Sequence, residues 1–227
     1  MRISGAIFDM DGTLIDSLML WDILWEEFTR RYALPRPFCP SAETDKAIRT
    51  VTLDRAMDIV HQNHGIGPSG QALFQVAVEV FLNFYNTRVT TKPGVLDLLD
   101  RLAHTGVKMV IATAADPIHV NAAMAHCGFA HHIGALVTCR EVGAGKHDPA
   151  VFERALEVLG TPKEETWVFE DSTVALTTAH NAGFPTVAVY DAFNPDQDEM
   201  RRLSDIYIDR GEALTKCLDE KDDRHGL

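Results

Sequence analysis

Ile3-Ser-Gly-Ala-Ile-Phe8, running into Asp9-Met-Asp11-Gly12-Thr13-Leu14-Ile15-Asp16-Ser17, is the stretch that decides the fold. Residues 3–8 make a short apolar run that stops at a carboxylate, the pattern of a buried parallel strand ending in a polar site. Four similar runs recur far downstream, at 108–113, 135–138, 166–169 and 186–190, with 206–208 as a weaker sixth. Between them the spacing predicts helices over 94–105, 118–127, 149–159 and 172–182. Each is followed by a glycine, at 106, 128, 160 and 183, able to supply a left-handed C-cap. Strand and helix alternating in this way predict an α/β fold with a doubly wound, Rossmann-like parallel sheet, whose ligands sit outside the carboxyl ends of the strands.

The alternation fails between residues 15 and 90. Leu14, Leu18, Trp21, Trp25, Phe28 and Tyr32 fall at helical offsets, as do Ile48, Val51, Ala56 and Ile59, and later Phe74, Val78, Phe81 and Tyr85. No convincing strand interrupts them. Pro35, Pro37 and Pro40 separate the first two helical stretches, and Gly65 to Gly70 the next pair. The expected organisation is a core of residues 1–14 and 91–227 with an α-helical cap, residues 15–90, inserted after the first strand. Lys92-Pro93-Gly94 marks the return, and residues 212–227 read as a short charged helix fraying into a solvated tail.

Among 227 residues, 21 lysines and arginines face 33 aspartates and glutamates, a formal net charge of −12. Nucleic acid and anionic membrane are therefore poor partners, because affinity for them comes from clustered cations. At 46% hydrophobic and 24% charged, the composition is that of a globular chain with a sizeable core. Cys39, Cys127, Cys139 and Cys217 form no C-x-x-C pair, which suits a reducing compartment, and no stretch has the length of a membrane span or the pattern of a signal peptide. The expectation is a cytoplasmic protein. Its oligomeric state is not legible.

Asp9 and Asp11 lie two apart at a strand's carboxyl end, and both can face a crevice only if the chain turns at Gly12. Clustered carboxylates call for a cation, and an all-oxygen environment suits Mg²⁺. A plain turn is the alternative; an EF-hand loop is excluded, since glycine falls fourth rather than sixth and the twelfth residue is Leu20. Glu170-Asp171-Ser172 repeats the acidic ending after another predicted strand, with a helix N-cap as the plainer role for Asp171 or Ser172. Thr113 ends the run at 108–113 and precedes Ala114 and Ala115, small residues that let backbone N–H groups approach an anion. Lys146, in Gly143-Ala-Gly145-Lys146 ahead of a helix, is either a solvated charge or a phosphate ligand.

With these four segments in order, the chain resembles the haloacid dehalogenase superfamily, in its phosphatase and phosphomutase branch with a helical cap. The likeness runs from Ile3 to about Tyr207. By that resemblance Asp9 is the nucleophile and Asp11 the general acid/base. Gly12, Thr113, Ala114 and Lys146 serve the transferring phosphoryl group, and Asp9, Glu170, Asp171 and Asp11, the last through its backbone carbonyl, hold Mg²⁺. The implied reaction is hydrolysis of a small phosphorylated metabolite through an aspartyl-phosphate. Asp11 speaks against dehalogenation. A beta-phosphoglucomutase-like mutase and a non-catalytic phosphate-ester binder are the alternatives. Trp21, Arg49, Arg55, His61 and His64 are candidate substrate contacts in the cap. The chain departs from the family pattern at His147, at Ala175 and in the two alanines after Thr113.

Overall fold

The structure, a computed structural model, describes residues 2–48 and 51–223; Arg49 and the end of the expected tail lie outside the described residues. The chain opens with β1 (Gly5–Phe8) and a two-residue strand β2 (Ile15–Asp16). Four helices follow: α1 (Leu20–Arg31), α2 (Ala42–Ile48), α3 (Leu53–His64) and α4 (Gly70–Thr87). Then come β3 (Thr90–Thr91), α5 (Val95–His104), β4 (Lys108–Thr113), α6 (Pro117–Cys127), β5 (Ala135–Thr138) and the short α7 (Cys139–Val142). The last third holds α8 (Ala150–Leu159), β6 (Thr166–Glu170), α9 (Thr173–Asn181), β7 (Thr186–Val189), α10 (Gln197–Leu203), β8 (Ile206–Ile208) and α11 (Lys216–Asp223).

Six strands form one parallel sheet in the order β5-β4-β1-β6-β7-β8. β1 is central and buried on both faces, which is why its sequence is continuously apolar rather than alternating. Period-two alternation still sorts its side chains. Ala6 and Phe8 join the core formed with α5, α6 and the inserted helices, whereas Ile7 joins Val110 and Val168 beneath α8 and α9. Phe8 meets Phe169 of β6 at 4.5 Å between ring centroids. Each such side chain, removed from water, contributes about 1.5–3 kcal/mol.

Several boundaries differ from those the pattern predicts. The first strand starts at Gly5, although Ser4 already bonds to both neighbours through its backbone. Leu14 and Leu18 precede α1; the carbonyl of Met10 takes the N–H groups of Leu14 and Ile15, closing a turn where the apolar spacing suggested helix. Ile48 and Val51 do not share a helix with Ile59: α2 ends at Ile48, and Thr52 is extended (φ −63°, ψ 153°) ahead of α3. The segment also holds strands, β2 and β3, paired antiparallel as Ile15 with Thr91 and Asp16 with Thr90. Two residues are too few for a periodic signal. α7 and α10 likewise go unanticipated; the Thr138 hydroxyl starts α7 by accepting the Glu141 N–H at 3.1 Å.

Candidate active site

The chain places β4 and β5 on one side of β1, then crosses to lay β6, β7 and β8 on the other. This reversal opens a crevice at the carboxyl end of β1, where open α/β sheets bind ligands. Asp9 follows β1 directly and donates its N–H to Phe169 O at 3.0 Å. Thr113 is the last residue of β4 and Glu170 the last of β6, so three neighbouring strand ends bring Asp9, Thr113, Glu170 and Asp171 together, all buried.

Gly12 makes the turn after β1 with φ +86°, and a Cβ there would collide with the Asp171 carboxylate. Thr13 fixes that carboxylate, donating from Oγ1 to Oδ1 at 3.0 Å. Ser172 takes the N-cap position of α9 without a side-chain cap bond, and the Asp171 side chain is turned to Thr13. Asn194, in the loop after β7, holds the same residue from behind by donating to Asp171 O at 2.7 Å.

Lys146 reaches the crevice from the loop between α7 and α8. Its Nζ donates to Asp9 Oδ1 and, at 2.5 Å, to Glu170 Oε1. Burial works against this ammonium, but Asp9 and Glu170 outweigh it and raise its pKa above the ordinary lysine value. Burial pushes Glu170 up to about 7, against the pull of Lys146 and with Asp9 adding to the rise. Asp171 is driven well above the usual carboxylate range by burial, then by Asp9, Glu170 and Asp191.

Asp11 has a separate environment. Its Oδ1 accepts from Ser17 Oγ at 2.6 Å and from Tyr85 Oη at 2.7 Å. Burial and Asp9 raise its pKa to about 6, with Ser17, Tyr85 and Lys146 holding it down. The Ala115 N–H, expected to approach an anion, donates instead to Thr113 Oγ1 at 3.0 Å and orients that hydroxyl.

Oxygens of Asp9, Glu170 and Asp171 lie within 4.8 Å of one another. Three buried carboxylates this close suit a hard divalent cation, as the sequence leads one to expect. The Asp11 carboxylate is not part of this cluster.

A crevice of about 570 Å³ is lined by Asp9, Asp11, Thr113, Lys146, Glu170 and Asp171, with Val174 and Phe193, each 43% exposed, at its mouth. A second cavity, of about 130 Å³, adjoins it at Asp11, Ala114 and Ala115, and Trp21 lines this one. The other expected cap contacts are not brought here. Arg55 is exposed, the His61 ring meets Ile66 O through Nδ1 at 2.8 Å, and the His64 ring meets Thr44 Oγ1 through Nε2 at 3.2 Å. Thr13, Ser17, Tyr85 and His119 were missed as site residues. Thr13 and Ser17 stand inside the first acidic motif, whereas Tyr85 and His119 read from sequence as ordinary helix-face residues.

The chain and its fold are similar to those of known proteins. The chain is 29% identical to Protein CbbY of Rhodobacter capsulatus, over 82% of this chain and 85% of that one. It is 26% identical to hexitol phosphatase A of Escherichia coli, over 83% and 84%. The crystal structure of CbbY from Rhodobacter sphaeroides in complex with phosphate superposes with a TM-score of 0.80 at 19% identity, covering 94% of this chain and 96% of that one. Residues 3–183 match the family profile of the haloacid dehalogenase-like hydrolases, and the chain is therefore a hydrolase that belongs to that family.

Proposed function

We propose that the protein hydrolyses the phosphoric monoester of a small phosphorylated metabolite through an aspartyl-phosphate on Asp9. The observation that carries this reading is the position of the Asp9 carboxylate, at the switch point of the sheet, bonded to Lys146 and flanked by Thr113. Asp9 attacks phosphorus in line, a P–O bond forms, and the bond to the leaving oxygen breaks. Asp11 gives that oxygen its proton, then takes one from the water that cleaves the aspartyl-phosphate, and inorganic phosphate departs. A group with a pKa of about 6 is suited to both transfers. Lys146 and the Thr113 hydroxyl offer hydrogen bonds to the phosphoryl oxygens. Asp9, Asp171 and Glu170, with the Asp11 carbonyl, would hold Mg²⁺, whose charge offsets repulsion between the nucleophile and the phosphate.

Hydrolysis is favoured over phosphomutase chemistry because, among the described residues, Lys146 is the only lysine or arginine lining either cavity. Among the described residues a second phosphate finds no comparable partner. The named activity of hexitol phosphatase A, a relative of similar length, supports the same class of substrate. The four helices between β2 and β3 act as a cap closing over the crevice. Phosphate release from a panel of small esters, with Mg²⁺ and with EDTA, tests the reading. Asp9→Asn should fold normally and lose at least about a thousandfold in rate. A binding module would take up Mg²⁺ and release nothing.

A further inference from the structure

The amino ends of the strands, opposite the catalytic crevice, carry a cluster that the proposed reaction does not use. Asp100 and His104 stand four apart on one face of α5, just ahead of β4. His131 and His132 end a single 3₁₀ turn, Ala130–His132, between α6 and β5. Phe129, fully buried, anchors that turn, and the His132 N–H donates to its carbonyl at 3.1 Å. Gly134 then docks on the start of β4, donating to Met109 O at 2.9 Å. From Lys108 to Thr113, β4 runs roughly 17 Å, so the cluster and the residues assigned to phosphoryl transfer sit at its opposite ends.

His132 Nε2 lies 3.1 Å from Asp100 Oδ1, and the His131 and His132 rings are 3.9 Å apart between centroids, tilted by 40°. One ligating atom from each of Asp100, His131 and His132 falls within 4.8 Å of the other two. His104 is turned back to Asp100 O through Nδ1 at 2.7 Å and stands outside this trio. Two imidazoles in contact repel a second proton, and burial disfavours one on His132 as well, against the pull of Asp100. The pair therefore offers nitrogen lone pairs. A tetrahedral ion with bonds of about 2.0–2.2 Å keeps its ligand atoms about 3.4 Å apart, close to the separation of Asp100 and His132. The His132 side chain, 8% exposed, is held by its turn, whereas Asp100 and His131 are exposed and free to close on an ion.

The geometry points to a second metal site, in which Asp100, His131 and His132 bind a divalent transition ion of the Zn²⁺ class and leave a fourth position to water. Two imidazoles and one carboxylate suit such an ion, whereas Mg²⁺ takes oxygen ligands and belongs with the carboxylates of the crevice. On binding, the metal replaces the hydrogen between His132 Nε2 and Asp100, and the ring carries its hydrogen on Nδ1. β5 is an edge strand, paired only with β4. The ion ties the turn that leads into this strand to α5, and so fastens the edge of the sheet.

The test titrates Zn²⁺ into the whole protein in excess Mg²⁺, followed by calorimetry and by the imidazole NMR signals, in the wild type, His131→Ala and Asp100→Asn. Both replaced side chains are exposed and remote from the crevice, so each variant should fold and keep its response to Mg²⁺. The wild type should bind one equivalent of Zn²⁺ more than either variant, with a Kd below about 100 μM. Each variant should weaken that equivalent at least about tenfold. The His131 and His132 signals should move as it fills, and Zn²⁺ should raise Tm further in the wild type than in the variants. Asp100→Asn keeps the test decisive where His131→Ala does not fold. Equal Zn²⁺ binding by all three proteins would assign every bound ion to the crevice carboxylates and overturn the inference. Unmoved His131 and His132 signals would overturn it too, as would an extra site weaker than about 100 μM, the mark of adventitious binding by surface histidines.

Discussion

Tyr85 Oη lies 2.7 Å from Asp11 Oδ1, so the last inserted helix, α4, grips the carboxylate assigned to proton transfer. Ser17, on the outgoing segment, holds the same oxygen at 2.6 Å. Both bonds are made to an atom whose pKa is raised mainly by burial, and both stabilise its charged form. The orientation of Asp11 is thereby tied to the placement of the inserted helices.

Tyr85→Phe removes one of these bonds and keeps the ring packing against Phe84 and His119. The Asp11 pKa should rise above about 6, and the alkaline limb of kcat/KM, which reports loss of the acid form, should move upward. A fall in kcat of about three- to tenfold is expected from poorer positioning. An unmoved pH profile would show that the tyrosine only packs.

Stability of the metal-free protein should depend on pH in an unusual direction. Asp11, Glu170 and Asp171 have folded-state pKa values above those of an unfolded chain, so the folded state binds the extra protons. Their contribution is fully present below about pH 4; that of Asp11 and Glu170 is lost as pH rises through about 6 to 7, and Asp171, raised well above the usual carboxylate range, adds to it in the same direction. In EDTA, Tm should be higher at pH 5.5 than at pH 8. Mg²⁺ should raise Tm most at pH 8 and shrink the difference.

Lys146→Met leaves Asp9 and Glu170 buried without their ammonium. Breaking a buried ion pair from one side costs about 3–5 kcal/mol. Denaturant unfolding in EDTA should show a loss of that order, partly restored by Mg²⁺. Hydrolysis should be abolished under either condition.

Gly12→Ala combines a left-handed φ of +86° with a collision between the new Cβ and the Asp171 carboxylate. The backbone penalty alone is about 1 kcal/mol. Tm should fall by several degrees and phosphate release should drop at least about a hundredfold, because Asp171 must move off Thr13. A fully active, equally stable variant would contradict the turn geometry.

The sheet was legible because β1 and its neighbours are buried on both faces and read as unbroken apolar runs, as in Ala6-Ile7-Phe8 or Val168-Phe169. The acidic pieces were legible too, since Asp9, Asp11 and Glu170-Asp171 stand at strand ends where clustered charge needs an explanation. Tyr85 and His119 were not. Both sit on helix faces with apolar neighbours, and nothing local separates a tyrosine that packs from one that bonds an aspartate 74 positions away. The break between Ile48 and Leu53 was hidden for a related reason, because apolar spacing continues across the extended Thr52.

The ribbon of Ile15-Asp16 against Thr90-Thr91 brings the two chain crossings side by side, and Lys92 N–H closes it on Leu14 O at 2.9 Å. The helices between them hang from one narrow stem whose ends are already paired. Such a cassette can be lengthened, rewritten or traded for another while β1, Asp9 and the turn at Gly12 keep their places. Evolution could thus retune what is recognised by rewriting these helices, so long as a donor in the place of the Tyr85 hydroxyl still reaches Asp11.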